Sequence, residues 1–334
     1  MICALMKVSE GVYAHLVKKV ATICSERLNW TFSNFINIQQ SHTIACEGYH
    51  QPYVRTGYES VIGRRTTQEF CYAATDDGVV LSIDDKGIII EYKDKTQKGI
   101  EIGRRFGQAE GSTYPHDIVA NVSVGEKFKR GKIIAYHSGF FEKDVLNPKD
   151  VIYKSSMIGR MTLYESTLTF EDSSGISSRM ANMMKTRVTK VKSFVVEFTQ
   201  GVRNIVKKDT VVGPNDVLFI IEDAITANSE LFDDETIEAL KRLANKSPKA
   251  KVSGVVDKIE VFYHGDKEDM SESLRAIANA SDRAISSLSK SIGKRVTDGR
   301  VGTDYRVNGK ALMVDTAEIK IYLTVEDVAG VGDY

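Results

Sequence analysis

The stretch from residue 78 to residue 92 reads GVVLSIDDKGIIIEY, which is two runs of β-forming residues separated by a short polar turn. Valine and isoleucine are enriched in strands because their branched side chains pack well on a pleated surface. The turn, residues 84–87, ends on a glycine, which tolerates the positive φ of tight hairpins. The stretch therefore predicts a β-hairpin.

The same pattern of short β-runs and glycine-marked turns continues around this hairpin. It extends from residue 70 to residue 136 and includes a second turn unit at 121–136. Further strand-like runs occur at 194–198, 217–221, 252–263 and 317–324. Such a chain predicts an α+β protein that is mainly β.

Three segments have the apolar spacing of helices instead. They lie at about 8–28, 233–245 and 268–292. The last is the clearest, because its apolar residues recur near a seven-residue period and only Ser281 interrupts them. These residues are Met270, Leu274, Ile277, Ile285, Leu288 and Ile292. We therefore expect a long helix near 268–292, packed on a neighbouring helix or sheet.

Composition narrows the class of protein. The chain has 334 residues, 42% hydrophobic and 27% charged, with a formal net charge of zero. A neutral chain has no general attraction for nucleic acid, so such contacts would come from local patches or partner subunits. The four cysteines (Cys3, Cys24, Cys46 and Cys71) are widely spaced, which is typical of reduced thiols. No apolar run approaches the roughly 18 residues of a membrane span, and no signal peptide is recognisable, so we expect a cytoplasmic protein.

Two groups of charged residues could carry chemistry. Glu171 and Asp172 are adjacent and follow Phe170. Neighbouring carboxylates repel each other and usually have a cation to meet, although an exposed acidic turn is the simpler alternative. Lys127, Lys129 and Arg130 form a basic turn that could contact phosphates, with a solvated loop as the alternative. The six histidines have no metal-ligand spacing, so each is interpreted as an ordinary surface or core residue.

The run FEDSSGISSRM at 170–180 resembles a signature of the large β subunit of cellular, multi-subunit RNA polymerase, Tyr/Phe-Glu-Asp-Ala/Ser-x-x-x-Ser-Glu-Arg. In the family that signature lies close to the nucleotide-addition centre. Other stretches resemble the family in the same order along the chain, and collinearity makes the resemblance more specific than any one motif. They lie at 54–59, 76–80, 106–113, 122–135, 213–218, 253–262 and 319–333.

The resemblance implies an architecture. It implies part of a double-psi β-barrel, interrupted by a flap-like β/α module. The corresponding segments are a helical or connector segment at 1–56, a barrel-associated β region with the Glu-Asp motif at 57–185, the flap-like module at 186–315, and a returning barrel strand at 316–334.

The resemblance also implies roles for particular residues. Glu171, with Asp172 beside it, would lie at the catalytic centre near a nucleotide-bound Mg²⁺. Asn37, Gln39 and Gln40 would line the nucleotide or RNA path. The Mg²⁺ would be held mainly by a β′-like partner, and this chain would hold no metal independently. Other expected partners are the remaining β-like part and, through the complex, the DNA template, RNA and nucleotides.

Two departures from the family pattern leave two hypotheses open. Gln40 stands where the family has an arginine, which removes a fixed positive charge from a phosphate site. The family follows Gly-Asp with Lys-Met-Ala-Gly-Arg-His-Gly-Asn-Lys-Gly, whereas here Gly332-Asp333 is followed by Tyr334. The chain could be a split, phage-type β-like subunit, inactive alone and found in the host cytoplasm or the virion. It could instead be a non-catalytic structural or binding module.

Overall fold

The computed structural model describes residues 45–55, 57–109, 112–154, 157, 159–160, 175–222, 246–296, 306–307 and 310–331. Within these residues the protein is α+β and mainly β, with antiparallel sheets, as predicted. The described chain divides into two compact units between Val188 and Thr189. Two later pieces, Ser291–Gly293 and the residues from Glu326 onward, group with the first unit.

The elements are numbered in chain order. The helices are α1 (Glu59–Ile62), α2 (Ser178–Met183) and α3 (Glu272–Ser291), with a 3-10 turn at Lys267–Asp269. The first ten strands are β1 (Cys71–Ala73), β2 (Gly78–Ile83), β3 (Gly87–Tyr92), β4 (Gln97–Glu101), β5 (Gly103–Ala109), β6 (Ser112–Ala120), β7 (Lys127–Phe128), β8 (Ile133–His137), β9 (Phe141–Lys143) and β10 (Val151–Tyr153). The others are β11 (Thr186–Glu197), β12 (Gly201–Arg203), β13 (Val211–Val212), β14 (Ile220–Glu222), β15 (Gly254–His264), β16 (Arg306–Val307), β17 (Lys310–Ala311) and β18 (Thr316–Asp327).

The predicted hairpin is strands β2 and β3, which pair antiparallel at the centre of a four-stranded sheet in the order β4-β3-β2-β7. Our reason for its turn is wrong in one respect, because Gly87 does not have a positive φ. The turn is closed instead by Asp84, whose carboxylate accepts backbone N–H bonds from Lys86 (2.9 Å) and Gly87 (2.8 Å). An aspartate that bonds the backbone two residues on is a known way to stabilise a turn.

A second antiparallel sheet of the first unit contains β1, β8 and β6 as consecutive neighbours, and β5 also pairs with β6. All five residues of β8 are buried, which places this strand between two apolar clusters. One cluster includes Tyr72, Val80, Ile88, Ile90 and Ile134, and the other includes Ile62, Phe70, Phe140, Phe141 and Tyr153.

In the second unit the hydrogen-bonded order is β11, β18, β15, β13. Strands β15 and β18 confirm the strands predicted at 252–263 and 317–324. The predicted long helix is also confirmed, although it begins at Glu272 and the 3-10 turn occupies the preceding residues. Leu274 and Ala278 on this helix are buried in the same core as Ile319 and Ile321 of β18.

Ser281, the apparent interruption in the helix pattern, has a structural explanation. It is buried, and its hydroxyl accepts the backbone N–H of Val261 in β15 at 3.1 Å. A polar group inside a core is tolerated when it is hydrogen-bonded. The serine therefore joins helix α3 to strand β15.

Two of the predicted helices, at about 8–28 and 233–245, lie outside the described residues. Among the described strands there is no closed barrel. None of the helices in the described part of the chain is long and apolar enough to cross a membrane.

Candidate functional site

The predicted site residues fall into two groups. Asn37, Gln39 and Gln40 lie outside the described residues, as do Glu171 and Asp172, so their roles stay predictions. Lys127, Lys129 and Arg130 are all described and all exposed. They form the site that can be built from the structure, and residues 127–132 are called the basic turn below.

One glycine and one buried aromatic residue shape the basic turn. Phe128 is buried, and its ring meets the ring of Tyr92 edge-on at 6.1 Å. Lys132 donates its backbone N–H to the Lys129 carbonyl (3.0 Å), and Gly131 between them has φ +83°. A positive φ at the third position is what a type II turn requires, and glycine adopts it without strain.

Asp77 fixes the turn from the end of the loop before β2. Its Oδ1 accepts the backbone N–H of Arg130 at 2.8 Å, and its Oδ2 lies 2.7 Å from Nζ of Lys93. The hydrogen bond from Lys93 is the main reason why the pKa of Asp77 is lowered, followed by the backbone bond from Arg130. Asp77 therefore stays ionised and forms an ion pair with Lys93. It binds Arg130 only through the backbone N–H of that residue and not through the guanidinium group.

Three cationic side chains of the basic turn therefore lack an ion-pair partner within the described part of the chain. Nζ of Lys132 lies 3.7 Å from Oε1 of Glu126, so this lysine has a carboxylate partner. The other three cations, Lys127, Lys129 and Arg130, make no ion pair with any described residue. Exposed cations on a rigid frame suit an anion that brings several charges, such as a nucleic-acid backbone. Contacts to phosphates position a nucleic-acid strand without reading its sequence. They supply no general acid or base.

Sequence reasoning missed a pair of histidines. His116 Nδ1 and His137 Nε2 are 2.9 Å apart, although the two residues lie on different strands, β6 and β8. The backbone N–H of Gly139 donates to Nδ1 of His137 at 2.9 Å. His137 must therefore carry its proton on Nε2 and donate it to His116.

The histidine pair is held in an aromatic setting that favours neutral rings. Phe70 stacks on His137 with ring centroids 5.8 Å apart, and Phe140 lies 5.0 Å from the same ring. Burial lowers the pKa of His116, and burial together with the charge of His116 lowers the pKa of His137 to about 3. Neither ring is a cation near neutral pH, so the pair adds no positive charge for binding phosphate there.

Two arginines contact the carboxylate of Asp117, the residue that follows His116 in the sequence. Asp117 accepts from Arg104 Nε at 2.8 Å and from its Nη2 at 3.1 Å, and Arg187 lies 3.5 Å away. Burial alone would raise the pKa of Asp117, but the hydrogen bond and charge of Arg104, with the charge of Arg187, lower it. Arg104 and Arg187 are thereby neutralised, which distinguishes them from the cations of the basic turn.

Comparison with known proteins gives no family. No protein-family model matches the chain, and no curated protein matches it. Among the described residues, no group of three or more histidine, cysteine, aspartate or glutamate side chains is arranged to hold a metal ion. The basic turn is therefore the candidate site that the geometry supports best.

Proposed function

We propose that the chain is a β-like subunit, or part of one, of a multi-subunit DNA-directed RNA polymerase. In this proposal the basic turn contacts nucleic-acid phosphates on the RNA path. One observation carries it: residues 122–135, a good match to the family, form a strand, a glycine-framed turn and a strand with three exposed cations. Polymerase subunits need exposed cations of this kind, because contacts to phosphates hold a nucleic-acid strand in register without reading its bases.

The proposed division of work follows from the chemistry of phosphoryl transfer, which depends on positioning and on neutralising charge. Mg²⁺ held mainly by a β′-like partner would neutralise charge at the transferring phosphate. This chain would position the RNA strand through the basic turn, and Asn37, Gln39 and Gln40 would line the nucleotide or RNA path. Glu171 would face the nucleotide side of the centre, and Asp172 would lie beside it.

The architecture is part of the same proposal. The first unit, with its antiparallel sheets, would be part of a double-psi β-barrel completed by partner chains. The segment 186–315 would be the flap-like module. An interrupted barrel leaves strand edges that other chains must pair or cover, so the subunit would act only in a complex. The isolated chain is expected to be inactive.

A second candidate function is a non-catalytic β-like binding module. The observation that favours it is Gln40, since an amide cannot replace the charge-assisted, bidentate bonds of the family's arginine. Such a module would keep the basic turn and bind nucleic acid, but an assembly containing it would not depend on Glu171 for nucleotide addition.

Salt dependence tests the basic turn as a phosphate contact. We expect the triple variant Lys127→Gln/Lys129→Gln/Arg130→Gln to bind a single-stranded RNA oligonucleotide more weakly. The slope of log K against log salt, which is negative, should become less negative by about 2, because each of the three phosphate contacts contributes about −0.7 on single strands. Fluorescence anisotropy at several salt concentrations measures this slope.

The control removes the same charge elsewhere. Lys207, Lys208 and Lys249 are exposed residues of the second unit, so Lys207→Gln/Lys208→Gln/Lys249→Gln changes net charge equally. We expect this control to leave the slope close to that of the wild type. Equal slopes for the two triple variants would show that only overall charge matters, and the basic turn would lose its proposed role.

A further inference from the structure

Two neighbouring loops of the first unit hold large apolar side chains out into solvent. Tyr53 and Val54 are 87% and 85% exposed, and Val145 and Leu146 are 77% and 79% exposed. These four residues are called the apolar loop cluster. Grouped exposed apolar side chains are uncommon on soluble monomers and usually mark interaction sites.

Polar contacts tie the two loops together, so the exposure of the cluster does not come from loose chain. Arg55 Nη1 lies 2.7 Å from Asp144 Oδ1, and both side chains are largely buried. Gln51 donates from Nε2 to the Lys143 carbonyl at 2.7 Å, and its Oε1 accepts the Val145 backbone N–H at 3.2 Å. The loops are therefore pre-organised, which lowers the entropy cost of binding.

The carboxylates near the cluster in sequence are paired or partly buried: Glu142 is half-buried, and the other two, Asp144 and Asp150, have arginine partners. Asp144 is engaged by Arg55, and Asp150 is engaged by Arg64 at 2.9 Å. Close by in sequence, Lys143, Lys149 and Arg65 are exposed and make no ion pair with any described residue. The apolar loop cluster therefore has exposed cations close to it in sequence.

We propose that the apolar loop cluster docks a partner protein through a segment whose apolar residues are flanked by aspartate or glutamate. The apolar centre would bury the partner's side chains, and the exposed Lys143, Lys149 and Arg65 would face its carboxylates. An anionic membrane is disfavoured because the Arg55–Asp144 ion pair joins the two loops and would have to lose water as the loops approached the hydrocarbon. This inference is independent of the proposed function, since a polymerase subunit and a binding module would both need partners.

A peptide selection tests the proposal directly. A random peptide library displayed on phage is selected against the full chain, and binding of the selected peptides is measured by fluorescence anisotropy. We expect peptides with an apolar centre and acidic flanks. Val145→Ser/Leu146→Ser should weaken their binding at least tenfold, and Lys143→Gln/Lys149→Gln should weaken it several-fold and reduce its salt dependence.

The matched control is Met313→Ser/Val314→Ser, an adjacent apolar pair of the second unit that is 75% and 62% exposed. It should leave peptide binding unchanged. The single variant Leu146→Ser guards against misfolding of the double variant, and thermal melting of each variant should match the wild type.

Four results would overturn the proposal. The selected peptides could lack acidic residues, or they could bind Val145→Ser/Leu146→Ser as tightly as the wild type. The wild type could bind vesicles of phosphatidylserine and phosphatidylcholine in a way that this variant abolishes, which would indicate a membrane. Sedimentation could instead show self-association that the variant abolishes, which would indicate a second copy of the chain.

Discussion

Acidification should destabilise the first unit through its buried histidine pair. In the folded protein the pKa of His137 is lowered to about 3, so the ring stays neutral at pH 5. In the unfolded chain a histidine has a pKa near 6.5 and takes up a proton as the pH falls below that value. The unfolded state then binds more protons, and stability must decrease as the pH falls.

The size of the effect follows from the two pKa values. Between pH 7 and pH 5 the unfolded state gains about 2 kcal/mol from protonating His137, at about 1.36 kcal/mol per pH unit below 6.5. His116 adds to the loss in the same direction, because its pKa is also lowered. The lowered carboxyl pKa values of Asp77 and Asp117 matter mainly below pH 5, since an unfolded aspartate titrates near 3.9.

Urea unfolding at pH 7 and pH 5, followed by near-ultraviolet circular dichroism, measures this loss. We expect His137→Gln to be less stable at pH 7 but to lose about 2 kcal/mol less than the wild type on going to pH 5. The exposed His50 provides the control, and His50→Gln should behave as the wild type. The reasoning would be refuted if His137→Gln kept the pH dependence of the wild type. It would also be refuted if NMR showed the imidazole of His137 titrating near pH 6 in the folded protein.

Three further predictions concern the core, the helix and the proposed centre. Phe128→Ala should destabilise the protein by about 3–5 kcal/mol in urea unfolding, because it empties a buried aromatic position. Ser281→Ala should cost about 1–3 kcal/mol by leaving a buried backbone N–H without its acceptor, whereas the exposed Ser286→Ala should cost almost nothing. In an assembled polymerase, Glu171→Gln should slow elongation about tenfold to a hundredfold and Asp172→Asn should do less, which elongation rates with melting controls can check.

The sequence predicted those elements whose apolar pattern has a single interpretation. The hairpin at 78–92 and the helix near 268–292 are examples, because period-2 and period-3.6 patterns follow directly from which face is buried. The turn at Gly87 was explained incorrectly because the sequence does not show that Asp84 closes it with its side chain. Ser281 was predicted to interrupt the helix pattern, but its role depends on a strand twenty residues earlier.

The candidate site was also predictable only in part, because local patterns can be recognised in the sequence and contacts between distant residues cannot. Exposed cations beside a glycine turn can be recognised locally, so Lys127, Lys129 and Arg130 were found. The bond from Arg130 to Asp77 joins positions 53 residues apart, and no local pattern indicates it. The histidine pair depends on the register of β6 against β8, in which Ile118 lies opposite His137 and brings His116 onto the same face. Without that register, each of the two histidines was interpreted as an ordinary surface or core residue.

The most direct test of the proposed function is the composition of the complex that contains this chain. The chain is expressed with an affinity tag in its native source, purified with its partners, and the co-purifying chains are identified by mass spectrometry. The proposal predicts a β′-like chain with metal-binding aspartates, a chain carrying Gly-Arg-His-Gly-Asn-Lys-Gly, and template-dependent RNA synthesis by the purified complex. Recovery of the chain alone, or with partners that include no polymerase subunit, would contradict it.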